Sequence, residues 1–493
     1  MMTLTLPAVA SVWLQVAAAA QPTPPAPAPA APPPGVLSGS PADAAAAAHD
    51  PPVPAAPSTA ALLASAATSR PILALDAAER TAMEHQPTIR QARFATAAAG
   101  GTVEQARSGY LPQVTGAASY TYGNESSSKA PSSSSGSGMM SGSGMSGSTV
   151  SAAAANGAGS SYAATLSASQ LIYDFGQTTE KWNSAKRSVE SLQATENTTR
   201  NQVIYNVRSA FFTARADRAL VRVQMETLKN EQKHLVQTEG FVQVGTQPEI
   251  SLAQTRTDLA NAKVALIQAE NNYDIARAQL NQAMGVTASV DYDVADQGLG
   301  AQDGEDDSVE QLVSRALANR PELAALTKAR EADALTIQSL KGGYGPSLYG
   351  LGGVGLLGTD ITTLQPAWQI GLSLTWPILL GGYTEGAIRN AEGTLGVADT
   401  MLEAERLQVR LDVEQGRLSV RSAKVSIGAA EEALVNAREQ LRLAEASYSQ
   451  GVGNIIQLGD AQVAVTSAGA QRVQADYNLA IARAQLLLAL GRP

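Results

Sequence analysis

The chain has 493 residues, only 4% of them aromatic, with a net charge of −9 and no cysteine. This balance excludes disulfide frameworks, thiolate zinc sites and a lipidated N-terminal cysteine. It also argues against a nucleic-acid binder, which needs a concentrated basic face; few aromatics and abundant alanine suit thin, closely packed helices.

Leu6 to Ala20 is largely apolar and Ala18-Ala19-Ala20 precedes Gln21, so residues 1–20 read as a secretory signal peptide. No run reaches the ~18 uninterrupted apolar residues of a membrane-spanning helix. Residues 21–70 hold more than half of the 24 prolines among many alanines, which predicts a disordered arm outside the fold.

A first structural repeat is expected over 71–285. It opens with a helix from Leu75 to Thr88. Val114, Gly116, Ala118, Tyr120 and Tyr122 then alternate with Gln113, Thr115, Ala117, Ser119 and Thr121. Further on, Tyr162, Ala164, Leu166 and Ala168 alternate with Ala163, Thr165, Ser167 and Ser169. Apolar residues on one face and small polar ones on the other is the pattern of transmembrane β-strands. Between these strands, residues 124–161 are mainly Ser, Gly and Ala, which predicts a flexible loop; Met139, Met140 and Met145 within it read as incidental rather than as copper(I) ligands.

From Gly176 to Gly240 there is no internal Gly or Pro, enough for a continuous helix roughly 95 Å long. Val203, Val207, Ala210, Ala214, Asp217 and Val221 follow the 4, 3, 4, 3, 4 rhythm of a coiled-coil seam, with Asp217 as its one charged interruption. Glu249 to Met284 is a second uninterrupted run, so the two form a helical hairpin turning near Gly245.

Residues 286–308 carry seven acidic side chains among Gly and Gln without the ordered spacing of a calcium loop, and read as a solvated acidic linker. A second repeat follows over 309–493. It opens with a helix from Val309 to Glu322, and Trp368, Ile370, Leu372, Leu374 and Trp376 alternate strictly with Gln369, Gly371, Ser373 and Thr375. The faces of Leu348 to Leu357 cannot be assigned because the segment is Gly-rich. The second hairpin turns at Gly451 to Gly453. His49, His85 and His234 are far apart and near no carboxylate cluster, and read as linker and surface histidines.

The two repeats are a duplication. His85-Gln86-Pro87 recurs as Asn319-Arg320-Pro321, and Tyr110-Leu111-Pro112 as Tyr344-Gly345-Pro346, both at an offset of 234. Ile275 to Leu280 recurs identically as Ile481 to Leu486 at an offset of 206, with Gly285 and Gly491 following at the same distance. The Ser/Gly/Met-rich insert in the first copy accounts for the difference.

Two copies of a strand pair followed by a long hairpin resemble the TolC family of outer-membrane efflux proteins. The resemblance covers Leu73 to Pro493. It is carried by the order of the elements, by the Pro that closes each opening helix, by the Tyr-x-Pro before each strand pair, and by the tips Val242-Gln-Val-Gly245-Thr246 and Tyr448-Ser-Gln-Gly451-Val452-Gly453.

The resemblance implies an α+β membrane protein without enzymatic activity or cofactor. Four strands per protomer would close as a twelve-stranded outer-membrane β-barrel in a homotrimer. A long periplasmic coiled-coil α-barrel with a mixed α/β equatorial belt would continue it. The implied partners are outer-membrane lipid, a periplasmic adaptor and, through the adaptor, an inner-membrane transporter. The adaptor would dock on Val244, Gly245, Thr246, Gly451, Val452 and Gly453. Tyr448, Gln457 and Asp460 would form the periplasmic aperture. The family has two aspartates at the aperture, and only Asp460 is kept; Gln457 stands at the other position. The family's gate joins a tyrosine and an arginine to an aspartate of the first tip. Tyr448 matches, but Gly453 and Ser251 stand at the other two positions.

Drug or metal efflux and type I protein secretion remain open as the purpose of such a duct. An enzyme is the first rival, on Gly353-Val-Gly355-Leu-Leu-Gly358, but a dinucleotide fingerprint must open a helix after a strand, and an apolar, Gly-rich stretch does not. A trimeric coiled-coil surface or structural protein without a channel is the second; it accounts for the heptads and not for the alternating segments.

Overall fold

The computed structural model describes residues 71–123, 159–287, 291–302 and 304–492. The expected signal peptide, the arm, His49, the three loop methionines and most of the 124–161 loop lie outside the described residues.

In chain order the elements are β1 (Ile72–Leu73), α1 (Leu75–His85), α2 (Pro87–Ser108), β2 (Gln113–Gly123), β3 (Gly159–Tyr173), α3 (Gln177–Gln243) and α4 (Glu249–Met284). Then come β4 (Asp293–Val294), α5 (Val309–Asn319), α6 (Pro321–Gly342), β5 (Ser347–Gly358), β6 (Gln365–Thr375), α7 (Tyr383–Ser449) and α8 (Ile455–Ala489). α3 and α7 both have 67 residues, α2 and α6 both 22, and α1 and α5 both 11, so the duplication extends to element length.

Three expectations are corrected. β3 begins at Gly159, so residues 159–161 belong to the strand and not to the loop. The opening helices do not run through their prolines: α1 stops at His85 and α5 at Asn319, and Pro87 and Pro321 each begin a new helix. Proline disfavours helical φ/ψ in the residue before it yet suits a first helical turn, so it divides the helix and starts the next. α2 and α6 were not anticipated at all.

The third correction concerns the acidic linker. β4 pairs in parallel with β1, and Val294 is fully buried. Asp293 bonds to Arg218 at 3.0 Å, and Asp296 to Arg215 at 2.9 Å and Arg222 at 3.0 Å. Glu305, itself buried, bonds to Lys424 at 2.7 Å and Arg483 at 3.0 Å. Arginines on α3 and α8 and a lysine on α7 face Asp293, Asp296, Glu305 and Asp306, so the carboxylates are paired even where Asp296 and Asp306 stay exposed, and the segment forms a belt across the helices.

Each repeat is closed on itself at this level. Gln86 donates to the Ala283 carbonyl at 2.8 Å in the first copy, and Arg320 to the Ala489 carbonyl at 2.8 Å in the second. Gly285 (φ 73°) and Gly491 (φ 70°) follow those helix ends in the left-handed region that glycine favours. A Cβ on Gly285 would lie 2.8 Å from Gln86 Cα, and one on Gly491 2.9 Å from the Asn319 carbonyl carbon.

β2, β3, β5 and β6 form an antiparallel sheet in that order, with β2 and β6 as its edges. The register assigns the Gly-rich strand: Leu348 faces Leu374, Gly350 faces Leu372, Gly352 faces Ile370 and Val354 faces Trp368. Val354 is also opposite Leu166, which is opposite Gly116. All the alternating apolar residues of the four strands therefore share one face. Val114, Leu166, Leu356 and Ile370 on it are 44% to 82% exposed in the single chain. The other face carries Thr115, Thr165, Ser167 and Ser373, with Tyr349, Leu351 and Leu357 of β5 among them, and the Thr115 and Ser167 hydroxyls meet at 2.7 Å.

The interior of the helical part is thin. Val203, Val207 and Ala214 on the expected seam are buried and pack with Phe211, Phe212, Tyr273 and Leu280. Asp217 sits on the same seam, and burial raises its pKa. Among the described residues no helix is long and apolar enough to cross a membrane.

Candidate functional site

The two hairpin ends are built alike. α3 and α7 each finish in a glycine in the left-handed region, Gly245 (φ 76°) and Gly451 (φ 74°). Amides beyond each glycine then reach back: Thr246 to the Phe241 carbonyl at 2.9 Å, and Gly453 to the Ser447 carbonyl at 2.9 Å. This is how a helix end satisfies its last carbonyls when the chain must reverse. Val244 and Val452 project from the turns, 72% and 81% exposed. α8 restarts on an Asn454 cap whose side chain accepts from the Ile456 amide at 3.1 Å.

Gly453, where the resemblance implies an arginine, has no room for a side chain. A Cβ there would lie 2.7 Å from the Tyr448 backbone nitrogen and 2.9 Å from the Ser447 carbonyl carbon. In this turn no side chain fits without moving the backbone.

Tyr448, Gln457 and Asp460 are not brought together. Gln457 and Asp460 are exposed on the first turns of α8. Tyr448 is fully buried against Leu441, Leu458 and Ala461, with Phe241 edge-on at 5.6 Å. Its hydroxyl lies 2.9 Å from Thr238 Oγ1, and Thr255 Oγ1 lies 3.5 Å further on and donates to the Ser251 carbonyl at 2.9 Å. Ser251 is itself buried, its hydroxyl donating to Gln247 Oε1 at 3.4 Å. A ladder of neutral hydroxyls thus spans the two hairpins.

His234 is a second departure from expectation: it is buried on α3, not on the surface. Burial lowers its pKa against the opposite pull of Glu445, 3.8 Å away on α7. Glu231, one turn earlier, is also buried, and its pKa is raised to about 7 by burial first and by the nearby Asp258 second. Glu231 and Thr238 were missed from the sequence, but the signal exists. Continuing the heptad rhythm from Val221 through residues 224 and 228 reaches 231, 235 and 238, so both are polar residues on a seam.

The G-x-G-x-x-G match lies inside β5 and ends with it, so it opens no helix. Among the described residues no three His, Asp or Glu side chains converge as a metal site.

The sequence model of the outer membrane efflux protein family matches residues 80–286 and 312–492, one block in each repeat. The chain belongs to this family. It is an outer-membrane efflux channel with a periplasmic helical extension, the outer-membrane component of a pump and not an enzyme. This outer membrane efflux protein is 24% identical over 430 residues to the outer membrane protein TolC of Escherichia coli, covering 82% of this chain and 79% of TolC. It is 23% identical over 317 residues to the probable efflux pump outer membrane protein TtgC of Pseudomonas putida, covering 62% of this chain and 64% of TtgC. Its fold superposes on the outer membrane protein VceC of Vibrio cholerae with a TM-score of 0.70 at 17% identity, covering 85% of this chain and 96% of VceC.

Proposed function

We propose that the protein acts as a homotrimer and forms a passive duct through which a pump's cargo leaves the cell. The observation that carries this is the sheet: four strands with one continuous apolar face and two edges, β2 and β6, that have no outer neighbour among the described residues. Strand edges and apolar faces cannot both stand in lipid unpaired. β6 of one protomer runs antiparallel to β2 of the next if three sheets close as a twelve-stranded barrel, with the apolar face toward outer-membrane lipid and the hydroxyl face toward the lumen. A purely structural coiled coil would give this sheet no role.

The hairpin ends then form the periplasmic entrance. Val244, Gly245, Thr246, Gly451, Val452 and Gly453 are the docking surface for a periplasmic adaptor, which links the duct to an inner-membrane transporter. Exposed valines beside glycine turns support this, because they offer apolar contact where the backbone can be approached closely. Gln457 and Asp460 face the aperture, where three Asp460 carboxylates around the axis would attract multivalent cations.

The test of the duct is mass and conductance. In nonionic detergent the particle should contain three protomers and resist SDS until heated; a folded monomer or dimer would reject the architecture. In planar bilayers, trivalent cations on the periplasmic side should reduce the current, and Asp460→Asn should relieve that block with trimer yield unchanged. Equal block in both proteins would remove Asp460 from the aperture.

A further inference from the structure

A groove of about 900 Å3 runs along α3 near the hairpin ends, walled by α4 on one side and α8 on the other. Its carboxylates come from all three helices: Glu231 from α3, Asp258 from α4 and Asp460 from α8. No Lys, Arg or His lines it. Ile250 and Val463, both exposed, supply apolar wall.

Glu231 is only 9% exposed, its carboxylate opens on the groove, and no other described residue donates a hydrogen bond to it or pairs with it. Its one charged neighbour is Asp258, of like sign. Asp258 is better provided for, accepting from Gln254 Nε2 at 3.1 and 3.3 Å. The groove floor is fixed: Thr227 and Thr466 hydroxyls meet at 2.8 Å, and Asn230 Nδ2 donates to Gln462 Oε1 at 3.4 Å across the α3–α8 crossing.

A buried carboxylate without a partner is costly unless it is protonated or meets a positive charge. Glu231 faces a space large enough for a small molecule, with a second negative charge nearby and apolar wall alongside. The three carboxylates do not converge as metal ligands. The exposed Ile250 and Val463 beside the carboxylates favour a charge carried on an organic group.

We infer that this groove binds amphiphilic organic cations, with an alkyl- or arylammonium group between Glu231 and Asp258 and the apolar body along Ile250 and Val463. The inference deepens the entrance reading, since it gives the duct wall a station for cationic cargo upstream of the barrel. A cation arriving at Glu231 displaces the proton that the empty site holds near neutrality, so binding strengthens as pH rises. Facing groups that also titrate are Asp258 on α4 and Asp460 on α8, while His234, one turn along α3, faces Glu445 on α7.

The test uses the full-length protein in nonionic detergent and two fluorescent probes, a dansyl group bearing a trimethylammonium tail and neutral dansylamide. The cationic probe should bind saturably, and about tenfold more tightly at pH 8 than at pH 6, because a group titrating near 7 is mostly ionised only at the higher value. Glu231→Gln should weaken it about tenfold at pH 8 and remove the pH dependence; Asp258→Asn should also weaken it. Dansylamide should bind both proteins alike. Unchanged affinity in Glu231→Gln, equal binding of the two probes to the native chain, or loss in Asp460→Asn alone would each overturn the site. Conductance and its trivalent-cation block, measured on the same Glu231→Gln protein, report on the entrance reading separately.

Discussion

The phenolic oxygen of Tyr448 stands 2.9 Å from Oγ1 of Thr238 and joins the second hairpin to the first in a fully buried setting. Tyr448→Phe keeps the ring against Phe241 and removes only that bond. The expected cost is about 1 kcal/mol, read as a roughly fivefold rise in amide exchange on the facing segments of α3 and α4. Unaltered protection there would mean that the hydroxyl ladder does not hold the tips.

Glu305 makes the belt sensitive to acid. Burial would push its carboxyl up, but hydrogen bonds from Arg483, Lys424 and the Gln302 amide outweigh burial and hold it at about 2. A group depressed on folding stabilises the fold fully above its unfolded pKa, and loses that contribution as pH falls toward its folded pKa. The window here runs from about 4.5 down to about 2 and involves roughly 3 kcal/mol. Thermal melts should show the native protein losing stability through that range. Glu305→Gln should start lower at pH 7 and show a shallower acid slope; parallel curves would contradict the assignment.

Glu231 acts with the opposite sign. Its pKa is raised to about 7, so the folded state holds a proton that the unfolded state has released, and stability falls as pH rises from about 4.5 to 7. Glu231→Gln removes the buried charge and should melt higher than the native chain at pH 8, with little difference at pH 4. A lower melting temperature at pH 8 would require a hidden partner for the carboxylate.

Ile370 lies mid-strand on the apolar face, opposite Gly352. Ile370→Arg should cost about 2 to 4 kcal/mol if that position lies near the bilayer midplane. On SDS gels the unheated, slow-migrating species should be depleted, whereas Ser373→Arg on the opposite face should retain it. Equal tolerance of both substitutions would undo the assignment of faces.

Two glycines separate backbone strain from close approach. Gly451 and Gly491 both have φ near 70° (74° and 70°), but a Cβ on Gly451 meets nothing within 4 Å and one on Gly491 is 2.9 Å from Asn319. Alanine at either should cost about 1 to 2 kcal/mol for the left-handed backbone, and Gly491→Ala more. Similar melting temperatures for the two variants would show that the Asn319 contact yields.

Much of the architecture was legible because the strands obey period two and the long helices lack Gly and Pro. The apolar faces of β2, β3 and β6 fell where alternation put them, and α4 begins and ends where its uninterrupted run does. What escaped depends on partners distant in sequence. Asp296 looks unpaired until Arg215 and Arg222 arrive from 81 and 74 residues away. α2 escapes the sequence reading because the expected opening helix closes at Thr88, whereas in the structure the segment after Pro87 packs against α3 and stays helical through Gly100-Gly101. At the tips the glycine turns were readable, while the burial of Tyr448 and the acidic groove arise only when α3, α4, α7 and α8 lie side by side.

The paired fastenings Gln86 to Ala283 and Arg320 to Ala489 bear on the symmetry of such a duct. In the trimer proposed above, three duplicated chains around one axis would set six nearly equivalent joints at the belt. Below it the copies diverge, Gln247-Pro248 in one against Gly453-Asn454 in the other. In that trimer the sixfold repetition of the belt would give way to a threefold one at the tips, with two chemically distinct sets of hairpin ends.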